Sequence, residues 1–192
     1  MPLILTSGPS VEPITLAEAK AHCRVDSDDE DMLVSSLILA ARLHIEQTLD
    51  LALISQGWSL YLDKWPGGSH VELPLAPLIG VQSIKTYDAD DEAAVVDPGN
   101  YSLDAASRRP RIAFGSGISQ PVPGRSINGI EIAFTAGYGA TADDVPMPIR
   151  QAIKMLVAHW YEAREPVVIE QHAESVPATV ASLIAPYRSA RL

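Results

Sequence analysis

The stretch EDMLVSSLILAARLHIEQTL, residues 30–49, carries the clearest secondary-structure signal in the chain. One set of its residues recurs at steps of three and four, which is the spacing of one face of an α-helix: Leu33, Leu37, Ala40, Ala41, His44 and Thr48. The acidic residues at its start suit the positive end of the helix dipole. The stretch therefore predicts a helix about 30 Å long with one buried face.

Further helices are predicted on both sides of this one. Thr15 is followed three residues later by Glu18, which is the spacing of a capping box and predicts a helix over 15–24. After residue 146, one apolar face predicts a helix over 147–163, formed by Ile149, Ile153, Leu156, Val157 and Trp160. A short apolar helix is expected from Ala178 to Ala185, where Pro186 ends it.

Residues 58–136 have a different texture, with short alternating stretches separated by turn residues. The turn Asp97-Pro-Gly-Asn100 is typical of a chain reversal, and Ile130–Ala136 is the clearest strand. We predict an α+β fold with a mainly helical core of long antiparallel helices, a small inserted antiparallel β unit and a C-terminal arm with a short helix. One domain would cover 1–177, with the β insertion at 58–136, and a separate segment 178–192.

Composition excludes several classes of protein. The chain has 192 residues, 47% of them hydrophobic, and a net charge of −10, which disfavours proteins that grip phosphates or anionic membranes. Its single cysteine, Cys23, excludes a disulfide within one chain and a multi-cysteine zinc site. No apolar run approaches the roughly 18 residues of a membrane span. We expect a soluble protein of a reducing cytoplasm.

No constellation for catalysis or metal binding is evident. An EF-hand calcium loop has glycine at its sixth position and glutamate at its twelfth. Counted from Asp26, these positions hold Asp31 and Leu37. His159 and Glu162 could share a helix face, but the chain offers no second pair of this spacing. We predict no catalytic residues, no metal, no cofactor and no enzymatic activity.

An ordered set of motifs runs through most of the chain, from residue 13 to residue 188. They are ITLAEAK (14–20), AARLHIE (40–46), QGWSLYL (56–62), LPLAPL (73–78), IAFTAGY (132–138), VPMPIRQA (145–152) and HWYEARE (159–165). Together they resemble the head–tail connector proteins, also called adaptor or head-completion proteins, of tailed phages, prophages and gene transfer agents. The long loop 115–129 departs from that pattern.

The resemblance implies a structural protein without enzymatic activity. It implies a dodecameric ring of this chain beneath the portal protein, which extends the DNA channel and docks the stopper or tail proteins. The C-terminal segment would reach the portal. The protein would lie at the head–tail junction of the virion, after a period in the host cytoplasm during assembly.

Two sets of candidate site residues follow from this resemblance and from charge. The C-terminal set is too short to fold alone and is the candidate portal-binding segment: Val180, Leu183, Ile184, Tyr187, Arg188 and Arg191. Carboxylates repel phosphates, so DNA would pass through a channel lined by them without specific binding. The candidate channel-lining residues are Asp28, Asp29, Glu30, Asp31, Asp88, Asp90, Asp91 and Glu92. No membrane partner is expected.

Two alternative functions stay open. The chain could be a stopper or a tail-terminator-like ring protein of the same particle, from which direct portal contact would distinguish it. A more distant alternative is a DNA-packaging enzyme or nuclease that uses paired carboxylates and magnesium, although the carboxylates here are contiguous in sequence.

Overall fold

A computed structural model describes residues 1–68, 70–163 and 176–188. The described chain forms two compact units. The β unit comprises Met1–Ser10 and Ser55–Tyr138, and the helical unit comprises Val11–Ile54 and the described residues from Gly139 onward. Each unit therefore draws on two separated stretches of the chain.

The β unit contains two antiparallel sheets. The described strands are β1 (Leu3–Ser7), β2 (Gln56–Leu62), β3 (His70–Glu72), β4 (Leu78–Tyr87), β5 (Ala93–Val95), β6 (Tyr101–Asp104), β7 (Arg111–Phe114) and β8 (Ile130–Ala136). The larger sheet has the order β1-β2-β8-β4-β5 and the smaller one the order β3-β7-β6. The N-terminal strand β1 thus lies at an edge of the larger sheet, beside a strand more than 50 residues later.

Strand β8 is the centre of the larger sheet, paired with β2 on one side and β4 on the other. Its residues alternate between buried and half-buried, as expected for a strand with one face toward a core. Ile130, Ile132 and Phe134 are fully buried, and Phe134 stands opposite Trp58 of β2. The predicted strand Ile130–Ala136 is confirmed, residue for residue.

The helical unit contains α1 (Leu16–Cys23), α2 (Asp31–Leu49), α3 (Met147–Glu162) and α4 (Ala178–Ile184) among its described residues. Helix α3 packs against the other three helices. Its predicted apolar face is confirmed for Ile149, Ile153, Leu156 and Val157, all of which are fully buried.

The prediction of a mainly helical core of long antiparallel helices is wrong. The β unit is a structural unit with two sheets and its own buried residues, not a small insertion in a helical domain. Each strand has only 3 to 10 residues, so its local signal is weak, and β1 joins its sheet through a contact distant in sequence. Long-range pairing of this kind is invisible to a local pattern.

The predicted apolar face of α2 is only partly confirmed: Ala41 is buried, and Leu37, His44 and Thr48 are half-buried. Leu33 is 37% exposed and Ala40 is exposed, whereas the buried residues lie one position further along: Val34, Ile38, Ala41, Arg42, Ile45, Glu46 and Leu49. Helix α2 therefore turns two charged side chains inward. An apolar pattern cannot anticipate that arrangement, because charged residues are almost never buried unless they are paired.

The predicted capping box at the start of α1 is confirmed. The amide of Glu18 donates to Oγ1 of Thr15 at 3.1 Å, and the amide of Thr15 donates to Oε2 of Glu18 at 2.8 Å. Arg150 of α3 donates to the other oxygen, Oε1, at 2.9 Å. The hydrogen bond from the Thr15 backbone, helped by Arg150, lowers the pKa of Glu18.

We expect Glu18→Gln to destabilise the protein in a pH-dependent way. Because its pKa is lowered in the fold, ionised Glu18 stabilises the folded state above its ordinary pKa of 4.5, and this contribution is lost as the pH falls. The variant should be less stable by about 0.3–1 kcal/mol at pH 7, and the difference should close as the pH falls through the lowered pKa of Glu18. Urea unfolding at several pH values measures this. Glu92→Gln, at an exposed loop carboxylate, is the control, and a pH-independent difference for Glu18→Gln would contradict the prediction.

Candidate interaction surfaces

The C-terminal segment forms a short helix within the helical unit. Val180 and Ile184 of α4 are fully buried, and α4 packs against α3. A 3₁₀ turn, Ala185–Tyr187, follows α4 directly. Two of the predicted portal-binding side chains are therefore part of the unit's core in this conformation of the chain.

The remaining predicted portal-binding residues differ in exposure. Leu183 and Tyr187 are half-buried and Arg188 is exposed. The amide of Arg188 donates to the carbonyl of Ala185 at 3.2 Å, which holds the end of the turn. Arg191 lies outside the described residues. Of the described residues in the predicted portal-binding set, Leu183, Tyr187 and Arg188 are the ones that reach the surface.

The first predicted acidic set lies at the start of α2, in a 3₁₀ turn, Asp28–Glu30, and at the first residue of the helix, Asp31. Lys20 donates from Nζ to Asp28 at 2.7 Å and to Asp31 at 2.6 Å. These hydrogen bonds lower the pKa of Asp28 and raise the pKa of Lys20. Asp29 accepts a hydrogen bond from the Ser27 hydroxyl, and Glu30 accepts one from the Tyr161 hydroxyl. All four carboxylates thus have partners within the helical unit, and Asp28 and Asp29 remain exposed.

The second acidic set forms the turn between β4 and β5 in the β unit. Asp88 accepts hydrogen bonds from the amides of Asp90 and Glu92 at 2.9 and 3.0 Å. Asp91 has a left-handed backbone, with φ of 68°, and accepts from Arg125 at 2.6 Å. All four acidic residues of this turn are exposed.

Loop 115–129 is docked on this acidic turn. Arg125 lies over the ring of Tyr87, 4.7 Å from its centroid, as well as pairing with Asp91. The amide of Gly124 donates to the carbonyl of Tyr87 at 2.8 Å. A Cβ at Gly124 would lie 2.5 Å from the Ala89 nitrogen, so only glycine fits this approach. The loop is a built part of the β unit.

Strand β4, which leads into this turn, is held by polar contacts to Glu131 of β8. The hydroxyl of Tyr87 donates to Glu131 at 2.5 Å, which raises the pKa of Tyr87 to about 12. Lys85 lies 3.7 Å from the same carboxylate. These contacts hold the strand that leads into the acidic turn.

Sequence reasoning missed one exposed surface, the outer side of α2. Met32 is 88% exposed, and Leu39 and Leu43 are each 43% exposed. Ser36 and Ala40 lie between them. The signal that could have found this surface is the near absence of charge in residues 32–49, where Arg42 and Glu46 are the only members of the Asp, Glu, Lys and Arg group and both are buried.

Two negative observations concern the described residues alone. Within residues 1–68, 70–163 and 176–188, no group of three or more His, Cys, Asp or Glu side chains is arranged to hold a metal ion. None of the described helices combines the length and the apolar character that a membrane span needs.

Comparisons with known proteins agree on one family. The family model for phage gp6-like head-tail connector proteins matches residues 13–87. A chain of the virion of a native gene transfer agent particle is 30% identical, with a TM-score of 0.83, and the match covers 100% of this chain and 97% of that one. The chain belongs to the head–tail connector family. The recognised resemblance is thereby confirmed.

Two further solved structures support this membership of the connector family. A chain from the neck of an empty gene transfer agent particle, computed with C6 symmetry, is 31% identical over 100% of this chain and 97% of that chain, with a TM-score of 0.84. A chain from the neck of the native particle, computed with C12 symmetry, is 31% identical over 98% and 97%, with a TM-score of 0.75. No curated protein sequence matches the chain.

Membership of the connector family indicates the general role of the chain. The family and the similar solved chains are structural components, so the chain has a structural connector role. The structural matches extend well beyond residues 13–87 and include the β unit with its docked loop 115–129.

Proposed function

We propose that the chain is the head–tail adaptor in the neck of a tailed-phage-like particle, of the kind represented by gene transfer agents. Twelve copies would form a ring beneath the portal, extend its DNA channel and dock the stopper or tail proteins. The observation that carries the proposal is the match, over almost the full length of both chains, to a chain from a neck computed with C12 symmetry. The protein would reside at the head–tail junction.

The C-terminal segment 178–192 is proposed as the portal contact, attached to the connector body 1–177. Leu183, Tyr187 and Arg188 supply a half-apolar, cationic surface. Such a surface combines apolar contact area with a guanidinium, a combination that is common where binding energy concentrates in interfaces. Residues 146–192, which include this segment, hold five basic and four acidic side chains in a chain of net charge −10, so this part of the chain does not share the overall negative charge.

The two exposed acidic sets are proposed to face the DNA. The negative charge lies on exposed residues: Asp28 and Asp29 just before α2, and Asp88, Asp90, Asp91 and Glu92 at the β4–β5 turn. Carboxylates repel phosphates that come within a Debye length, which is about 8 Å at physiological ionic strength. A channel wall of this kind lets DNA pass without retention.

One reconstitution tests these proposals. The purified chain is mixed with assembled portal from the same genome, and the complex is imaged by electron cryomicroscopy. A ring on the outward end of the portal, with both acidic loops at the lumen, is expected. An intact portal with no added density would refute the adaptor function and favour a stopper or tail position, whereas a ring with both loops outside would refute the lumen assignment alone.

A charge reversal tests the portal contact separately. Arg188→Glu is expected to weaken portal binding about tenfold, which corresponds to 1.4 kcal/mol. Lys64→Glu reverses an exposed charge in the β unit and serves as the matched control. Equal binding by Arg188→Glu and the unmodified chain would exclude this segment from the contact while leaving the adaptor role intact.

A further inference from the structure

The outer side of α2 has the surface chemistry of a protein interior. Residues 32–49 are all described, and no Asp, Glu, Lys or Arg side chain among them is exposed. The exposed positions instead carry aliphatic or small polar side chains: Met32, Leu33, Ser35, Ser36, Leu39, Ala40, Leu43 and Gln47. The solvent-facing side of a surface helix normally carries charged or polar side chains, so exposed leucine and methionine side chains without a charged neighbour on α2 are unusual.

The two charged side chains of this stretch are turned inward and paired. Arg42 is 5% exposed and Glu46 is 8% exposed. Arg42 donates to Glu46 at 2.8 Å and to Glu12 at 2.8 Å, within the helical unit. The outer side is therefore uncharged because the charges face the core, and these contacts hold α2 in that rotation.

Met32, Leu39 and Leu43 line up along one side of α2. Eleven residues separate the first from the last, which is about 16 Å along a helix. Their exposed fractions of 88%, 43% and 43% mean that the described chain leaves Met32 almost uncovered and Leu39 and Leu43 partly uncovered. A patch of this length is suited to a packed contact with another protein.

We propose that this side of α2 is the contact with the neighbouring copy of the same chain in the ring, an inference that rests on the proposed adaptor function. Each copy carries a net charge of −10, so two copies repel one another overall and a surface free of carboxylates favours their close approach. The outer side of α2 is such a surface. A similar chain occupies a neck computed with C12 symmetry, and copies in a cyclic ring must meet.

The geometry of a closed ring defines what α2 meets. Contacts around a cyclic ring of more than two copies are heterologous, so the surface on one copy packs against a different surface on the next. The outer side of α2 therefore contacts a surface of the neighbour that is different from the outer side of the neighbour's α2.

Photo-crosslinking in the assembled complex tests which protein contacts the outer side of α2. p-Benzoylphenylalanine replaces Leu39 in the chain, which is assembled on portal from the same genome and irradiated. We expect an adduct of two copies, and mass spectrometry of its peptides identifies the second surface. An adduct to portal or tail protein, an adduct within one chain, or no adduct in a complex whose ring is visible would each overturn the proposal.

Charge insertion provides an independent readout. Leu39→Arg and Leu43→Arg are at exposed positions, so the free chain should keep its thermal unfolding midpoint, while ring occupancy on the portal falls at least tenfold. Leu103→Arg, at a leucine 42% exposed in the β unit, is the matched control and should assemble normally. Normal rings with Leu39→Arg would overturn the proposal. A complete lack of ring density with the unmodified chain would overturn the adaptor function itself, and the α2 proposal with it.

Discussion

Replacement of Glu46 by alanine is expected to lower the free energy of unfolding by about 3–5 kcal/mol. One carboxylate oxygen of Glu46 accepts from Arg42 and the other accepts from the amide of Leu53, both at 2.8 Å. The variant would leave the Leu53 amide without this acceptor and a buried guanidinium with one fewer carboxylate. Guanidinium chloride unfolding, followed by circular dichroism, measures the loss.

A double variant separates pairing from packing. Arg42→Met with Glu46→Leu replaces the buried ion pair by apolar side chains of similar size, which in other proteins is neutral or stabilising. We expect the double variant to recover most of the stability that Glu46→Ala loses, although the Leu53 amide still lacks its acceptor. A loss below 1 kcal/mol for Glu46→Ala would show that the network does not hold α2.

The same network connects stability to assembly. If Arg42 and Glu46 determine which side of α2 faces inward, their loss also alters the uncharged outer surface that we propose as the contact between copies. Destabilisation by Glu46→Ala should therefore be accompanied by fewer rings on the portal. Leu39→Arg should reduce ring formation without the loss of stability, so the two variants distinguish a damaged helix from a damaged contact.

Features determined by near neighbours in sequence were predictable. The capping box of Thr15 and Glu18, the buried face of α3 and the alternation of β8 all arise within one or a few turns or strand repeats, and all three are confirmed. In each case the side chains that interact or share a face are three, four or two residues apart, which is the separation that a periodic pattern detects.

The errors arose where distant residues decide the structure. Strand β1 is ordered by pairing with β2, so the stretch Leu3–Ser7 carries little signal of its own. The face of α2 was partly misassigned because Glu12 and the Leu53 amide satisfy charged side chains that an apolar pattern places outside. For this reason, neither the β1 stretch nor the α2 stretch by itself indicates that the chain forms a helical unit and a separate β unit.

The candidate surfaces show a similar division. Charge counting located the acidic sets, yet it could not anticipate that Lys20 pairs with Asp28 and Asp31, or that Arg125 pairs with Asp91. The apolar content of residues 180–187 suggested a segment that orders on a partner, whereas Val180 and Ile184 are buried within the helical unit. The portal and channel assignments stay proposals, since one chain alone does not contain the partner surfaces.

Phe134→Ala is expected to have an equally large effect in the β unit. Phe134 is fully buried on β8, the strand paired on both sides, opposite Trp58 of β2 and Val81 of β4. Truncation of a buried phenylalanine removes its apolar contacts and leaves a cavity, at a cost of about 3–5 kcal/mol. Urea unfolding followed by Trp fluorescence measures this cost.

The chain offers a matched control, because it contains only two phenylalanines. Phe114 on β7 is half-buried and contacts the rings of Trp65 and Tyr101 edge-on, so Phe114→Ala deletes the same atoms from a less enclosed site and should cost clearly less. The difference between the two variants isolates the contribution of enclosure around β8. Equal losses would mean that the smaller sheet is as tightly packed as the larger one, and that β8 is not the main source of stability in the β unit.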